Sequence, residues 1–478
     1  MERLSLSPLF TTHYSLPINH KIPLTFCLYI FIVMMKFCMN TVAMFKFLRR
    51  YLVMRNRIRV LHTSDWHLGQ SLHEHQRDDE FDKFLDWILR TVEQESVDVL
   101  LISGDIFDTS NPAYAAQARY YDFCTALGKT QCQAVITSGN HDSATFIDVP
   151  ASILERMNVH VFGQARFGIN RTGKPEDEVI VIRDKDESPA LIVAAVPYLT
   201  DGDVRYAQAG EDIEDRQARM RAGVAEHYRQ VAAYCEQVRA GRDIPVVAMG
   251  HLYVNGGAGS DVQIGDGVRA TFVGNLGGVG VSMFDETFDY VALGHIHIPQ
   301  AVGGRAHVRY SGSPLAMGFG EAEQKKSVCL VDFESRTPQI SLVEVPPFHK
   351  MARVEGDKAK IEADLTELAS AREEVYVSVI YTGSESVDSV LGIVHEILDK
   401  IGEKGGAQYI CCLDTQNRSV RNETVANNPT AIRNESLEDF DEYSVFEKLL
   451  DARAIADDRR EELKETYQML LELAHQQP

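Results

Sequence analysis

Five clusters of Asp, Asn and His, each placed where a short apolar run ends, constrain this chain more than any other feature. They are Asp65-Trp66-His67, Gly104-Asp105 with Asp108, Gly139-Asn140-His141-Asp142, Gly250-His251, and Gly294-His295 with His297. The runs before them (58–62, 97–103, 134–137, 246–249 and 290–293) are short and almost unbroken in apolar residues, as strands buried on both faces are. Helical stretches alternate with them. In residues 79–94, Phe81, Phe84, Leu85, Ile88 and Val92 form one stripe, and residues 113–127 read as a second helix. This order predicts an α/β sandwich of sheets with helices outside. Loops that leave the carboxyl ends of parallel strands converge on one crevice, so the five clusters are placed to meet.

Their chemistry is that of a metal site. Two carboxylates, an Asn and several His make a mixed oxygen and nitrogen donor set. Carboxylates alone would suit magnesium or calcium and thiolates would suit zinc, whereas imidazole with carboxylate suits manganese, iron or zinc. Asp105 is the natural bridging ligand, because one carboxylate can span two ions roughly 3.5–4 Å apart and such a pair clamps a phosphoester. A lone Gly-His is usually a turn with a packed histidine. The weight lies in all five clusters in this order.

The rest of the chain sets bounds. Its 478 residues allow two or three domains, and a formal net charge of −21 excludes binding nucleic acid through a general basic surface. Locally concentrated cations would still hold a phosphodiester. The eight cysteines include no C-x-x-C pair, which suits a reducing, cytoplasmic setting, and the adjacent Cys411 and Cys412 are expected on opposite faces of a strand. Residues 1–53 are set apart as a non-native or targeting extension. An anchor, a cleaved segment and a start at Met54 are the readings, the last preferred because a strand and a catalytic loop follow directly. The apolar stretch there carries Lys36, and a membrane partner is not expected. Residues 54–346 are read as the catalytic domain and 347–415 as a small α+β domain. A polar linker is read over 416–434, and helices with an apolar stripe over 435–478. Gly168 to Lys174 mimics the start of a P-loop, but Pro175 and the acidic run after it predict a surface hairpin. His62 is expected to be a packed core histidine. His73, His75 and Arg77, in the loop after the first cluster, are candidates for touching substrate phosphates, with a solvated loop as the alternative.

The words around the clusters, LHTSDWHLG, GDIFDTSNP, GNHDS, GHLYV, ALGHIHIPQ and VRYSGSP, are similar to those of the calcineurin-like metallophosphoesterases and, within them, of the bacterial SbcD nuclease family. The likeness is strong over 57–346 and looser beyond. It implies one metal on Asp65, His67 and His297, another on Asn140, His251 and His295, and Asp105 between them. It implies that His141, oriented by Asp142, stabilises or protonates the leaving oxygen. Asp108 departs from relatives outside bacteria that carry His there; a supporting role and simple turn chemistry both stay open. The resemblance further implies two Mn2+ ions, and exonuclease and hairpin endonuclease action on DNA in repair and recombination. The partner it implies is an SMC-like ATPase, SbcC, in a heterotetramer built on a homodimer. Residues 347–415 would cap the site and 435–478 would grip the partner's coiled coil. Tyr114, Tyr120, Tyr121 and Phe123 could serve the dimer or simply face the core. A phosphatase or cyclic-nucleotide phosphodiesterase is the competing enzyme, and a scaffold without catalysis the competing class.

Overall fold

The computed structural model describes residues 57–418 apart from 207, 209, 257–261, 264–277, 384–388 and 404, and beyond them only 446, 450, 460, 463, 464 and 467. The first fifty-six residues and nearly all of 419–478, with the expectations placed there, lie outside the described residues.

One six-stranded sheet contains β1 (Arg57–Thr63), β2 (Val99–Ser103), β3 (Gln133–Thr137) and β4 (Val159–Phe162). A second contains β5 (Val179–Arg183), β6 (Pro189–Ala195), β7 (Val246–His251), β8 (Tyr290–Gly294), β9 (Gln300–Val302) and β10 (Arg305–Tyr310). The hairpin of β11 (Ser327–Glu334) and β12 (Thr337–Glu344) returns to the first sheet, whose order is β12-β11-β1-β2-β3-β4. The order of the second is β9-β10-β8-β7-β6-β5. β1 to β4 run parallel, as do β6, β7, β8 and β10. Parallel neighbours need crossovers; helices supply them between β1, β2, β3 and β4 and between β6 and β7, whereas strand β9 lies in the connection from β8 to β10.

Between the sheets lies an apolar layer that includes Val60, Val99, Leu101, Val193, Val247, Met249 and Val331. Helices α1 (Asp78–Gln94) and α2 (Tyr114–Leu127) cover the outer face of the first sheet, and α3 (Ile213–Arg239), one helix of 27 residues, covers that of the second. The stripe expected on residues 79–94 is buried as a unit: Phe81, Phe84, Leu85, Ile88 and Val92 all face the core. On α2, Tyr120 and Phe123 are core residues while Tyr114 is 85% exposed, so the two readings of that aromatic face divide by residue. His62 is buried, with Nδ1 3.0 Å from the Tyr290 hydroxyl across the two sheets. After Gly168–Lys174 the chain enters a short 3-10 turn, Pro175–Glu178, and no phosphate-binding helix.

A smaller sheet follows: β13 (Lys350–Gly356), β14 (Val375–Tyr381) and β15 (Ile410–Asn417), all parallel, with α4 (Lys358–Ser370) and α5 (Val390–Gly402) as crossovers. β15 continues two residues past 415, into the segment read as linker. Helix residues Ile361, Leu365, Val394 and Ile397 pack on the Val375, Val377 and Val379 face. The other face turns Tyr376 toward Leu72 and Phe319, and Cys411 packs there while Cys412 packs on the helix side. All described cysteines are free thiols. No helix among the described residues is long and apolar enough to cross a membrane.

Candidate metal centre

Each cluster leaves the same edge of the sandwich. Asp65 and His67 follow β1, Asp105 and Asp108 follow β2, and Asn140 to Asp142 follow β3. His251 closes β7, and His295 and His297 follow β8. Backbone bonds tie the loops: Asp65 N–H donates to Gly104 O and His67 N–H to Asp105 O, both at 3.0 Å. Asp65, His67, Asp105 and His295 have φ of 54°, 48°, 49° and 100°. Asp and His tolerate the left-handed region better than most residues, yet each such residue still costs on the order of 1–3 kcal/mol, and clustering of that cost marks a site. Gly139 is required by space: a Cβ there would collide with the Asp105 carboxylate.

The side chains converge. His67 Nε2 and His297 Nε2 are 3.3 Å apart, and both can be gathered with an Asp65 oxygen within 4.8 Å of one another. Asn140 Oδ1 lies 3.0 Å from His251 Nε2 and 2.9 Å from His295 Nδ1. Asp105 Oδ2 lies 3.1 Å from His251 Nε2 and 3.6 Å from His67 Nε2. Its other oxygen accepts the His141 N–H at 2.9 Å. Separations near 3 Å are the edges of a coordination polyhedron with arms of about 2.0–2.1 Å. Two imidazole nitrogens facing each other need a proton or a cation between them. His295 Nε2 is buried without a hydrogen-bond partner. The donor set therefore fits divalent cations.

The electrostatics agree. His67 and His251 resist charging through burial, but Asp105, Asp65 and, for His67, Asp108 outweigh it and lift both to about 9. Burial would raise Asp105, yet the imidazoles of His251, His141 and His67 hold it well below the usual carboxylate range. Burial pushes Asp65 up, and with His251 beside it burial takes His295 down to about 3. Protons on two imidazoles act here as the counter-charge that a cation would supply.

Two expectations change. Asp142 does not spend its carboxylate on His141: its oxygens accept the amides of Ile106, Phe107 and Gly139 at 3.1, 2.9 and 2.8 Å. Burial, with Asp105 nearby, still raises it to about 6. It ties the second and third loops together, whereas His141 Nδ1 lies 2.7 Å from the carbonyl oxygen of Asp108. Asp108 also sets Oδ1 3.4 Å from His67 Nδ1, a supporting position that the turn alone does not explain. Arg77 is buried, with its guanidinium on Glu80, Gln70 Oε1 and Ala316 O, so it is not available to a phosphate. His75 contacts the Tyr376 hydroxyl at 3.1 Å, against the small sheet, and only His73 is exposed.

Sequence reading missed Ser64 and Ser311, which bond each other at 2.8 Å with Ser64 also on Asp65, and it missed Glu321 behind His297. Ser64 stands in LHTSDWHLG and Ser311 in VRYSGSP, but nothing in either stretch marks the two as partners.

An α/β sandwich with this centre defines a class. Residues 58–299 match the family described as calcineurin-like phosphoesterase, and residues 347–454 match one described as type 5 capsule protein repressor C-terminal domain. Among curated proteins, the SbcD subunit of nuclease SbcCD from Escherichia coli K12 is 33% identical over 336 residues, 70% of this chain and 80% of that one. The SbcD proteins of Rhodobacter capsulatus and Bacillus subtilis are 34% and 32% identical over 281 residues, 58% of this chain and 66% of each relative. The chain belongs to the calcineurin-like phosphoesterases and, within them, to the SbcD family of the SbcCD nucleases.

Proposed function

We propose that the chain hydrolyses phosphodiester bonds of DNA with two bridged divalent cations, and that it does so as the nuclease component of a complex with an SMC-like ATPase of the SbcC kind. The observation that carries this reading is Asp105, whose Oδ2 serves the His67 side and the His251 side of the centre at once. In this reading Asp65, His67 and His297 would hold one ion, Asn140, His251 and His295 would hold the other, and Asp105 would serve both. Manganese suits the imidazole, carboxylate and amide donors. When bound, the pair supplies Lewis-acid charge to the phosphoryl oxygens and an acidified water. His141 donates Nδ1–H to Asp108 O, which fixes its tautomer and keeps Nε2 for the leaving oxygen. Asp142 acts through the backbone, holding the Asp105 and Asn140 loops in register.

The relatives are named as the SbcD component of nuclease SbcCD, and that naming supports DNA as substrate and SbcC as partner. We assign the partner contact to residues 435–478, capping of the site to 347–415, and a cytoplasmic setting to the whole. A homodimer within a heterotetramer would use exposed Tyr114, Val149 and Ile153. His73 remains a candidate for a DNA phosphate.

The test is cleavage of a labelled DNA hairpin and a linear duplex by the purified chain with Mn2+, Mg2+ or EDTA, with and without the ATPase partner and ATP. Manganese-dependent cutting, extended by the partner, is expected. Turnover of para-nitrophenyl phosphate with no DNA cut under any condition would replace this reading with a phosphatase.

A further inference from the structure

The imidazoles of the centre need more than a cation. A metal-binding imidazole is usually held by its second ring nitrogen as well, because that contact sets which nitrogen keeps a lone pair; His295, whose Nε2 has no hydrogen-bond partner, is the exception here. His251 commits Nδ1 to Ser103 O at 2.9 Å, and His67 has Asp108 at 3.4 Å. For His297 the group in that position is Glu321, whose Oε1 lies 4.0 Å from Nδ1.

Glu321 is 1% exposed, at the end of a single 3-10 turn, Phe319–Glu321. Its Oε2 accepts the Met317 N–H at 2.9 Å and the Lys326 ammonium at 2.6 Å. Lys326 is itself buried and sends its other two protons to Ser313 Oγ at 3.1 Å and to the carbonyl oxygen of His297 at 3.2 Å. Lys326 thus bonds the His297 backbone, and the carboxylate it clamps sets an oxygen 4.0 Å from the His297 ring. Stability alone is a poor reason for such a pair, since two buried charges lose hydration that a well-packed apolar pair would not.

We propose that Glu321, clamped by Lys326, is the positioning residue of His297: it accepts Nδ1–H and so presents Nε2 to the cation. Contacts of this kind are long without the ligand and close when the ring is drawn onto it. The pair also lines a cleft of about 260 Å3 between the phosphoesterase sheets and the small sheet, with Arg77, Glu80 and Lys350 on its walls. The inference rests on His297 holding an ion, and the experiment separates the two claims.

Mn2+ is titrated calorimetrically into the full chain, its Glu321→Gln variant, the charge-neutral Glu321→Leu/Lys326→Met double variant and His297→Ala. Melting of each metal-free protein is followed in parallel. The expected result is that one of two ions weakens about 10–100-fold in the double variant and less in Glu321→Gln. The other ion and the metal-free melting temperature stay close to those of the parent. His297→Ala should lose that same ion. Two ions of parental affinity in a folded double variant, or both weakened together with a lower melting temperature, would overturn the assignment of Glu321. If His297→Ala keeps both ions, the metal reading of His297 falls instead.

Discussion

At the scale of single residues, burial and partners separate groups that look alike in sequence. His141 is half-buried and hangs by Nδ1 from a backbone carbonyl, although it can still be gathered with His67 and Asp105, while His67 and His251 lie fully buried against the Asp105 carboxylate. His141→Ala should therefore cut turnover by at least about 100-fold, in the range of a lost general acid, while both ions still bind. Metal content after gel filtration checks this, and a lost ion would place His141 among the ligands. Arg77 and His73 lie four residues apart, yet one is structural and the other exposed. Arg77→Ala strands Glu80 as a buried charge and should destabilise the protein by about 3–5 kcal/mol in chemical unfolding. The slope of DNA affinity against salt should not change. A slope shallower by about one phosphate contact would return Arg77 to the nucleic acid.

At the scale of elements, what matters is how strand ends are packed against one another. β2 and β3 are neighbours, and Gly139 at the end of β3 lets the Asp105 carboxylate of the next loop lie against its backbone. Gly139→Ala should leave far-UV circular dichroism unchanged and yet lower DNA cleavage by on the order of 100-fold, the cost of displacing a ligand by about an ångström. Parental activity would mean that Asp105 can yield without loss. The sequence shows a glycine before Asn140, but what it makes room for is not legible there, because Asp105 is thirty-four residues earlier in the chain.

At the scale of the whole molecule, titration links the centre and the core to solution conditions. His67 and His251, both near 9, carry protons at pH 7.5 in the metal-free protein and must release them to bind a cation. Metal affinity should accordingly rise with pH up to about 9, about tenfold per pH unit for each proton released. Calorimetry in buffers of different ionisation enthalpy counts the protons, and a count of zero would contradict the electrostatics described. His62 works in the opposite sense on stability. Burial, with Arg309 nearby, lowers it to about 3, so between about 6.5 and 3 the unfolded chain binds a proton that the folded one refuses. Stability from this group is present above pH 6.5 and is lost as pH falls, by at most about 1.4 kcal/mol per pH unit. His62→Gln should flatten the acid limb of chemical unfolding curves between pH 6.5 and 4.5, and an unchanged limb would exclude His62 as its source.

The five clusters, the strands before them and the helices between them were legible in the sequence, because a doubly covered parallel strand has to be apolar until the residue at which it leaves the sheet. The family and the donor types followed from the same local words. What only the tertiary structure decided was which groups stand behind those donors. Asp142 on three backbone amides, Asp108 on two imidazoles, Glu321 with Lys326 behind His297, and Arg77 turned inward all depend on contacts between segments far apart in the chain. Spacing along one strand or helix carries no record of such contacts. They arise where two sheets and their loops are pressed against one edge, and there the partner of a buried charge is set by proximity in space.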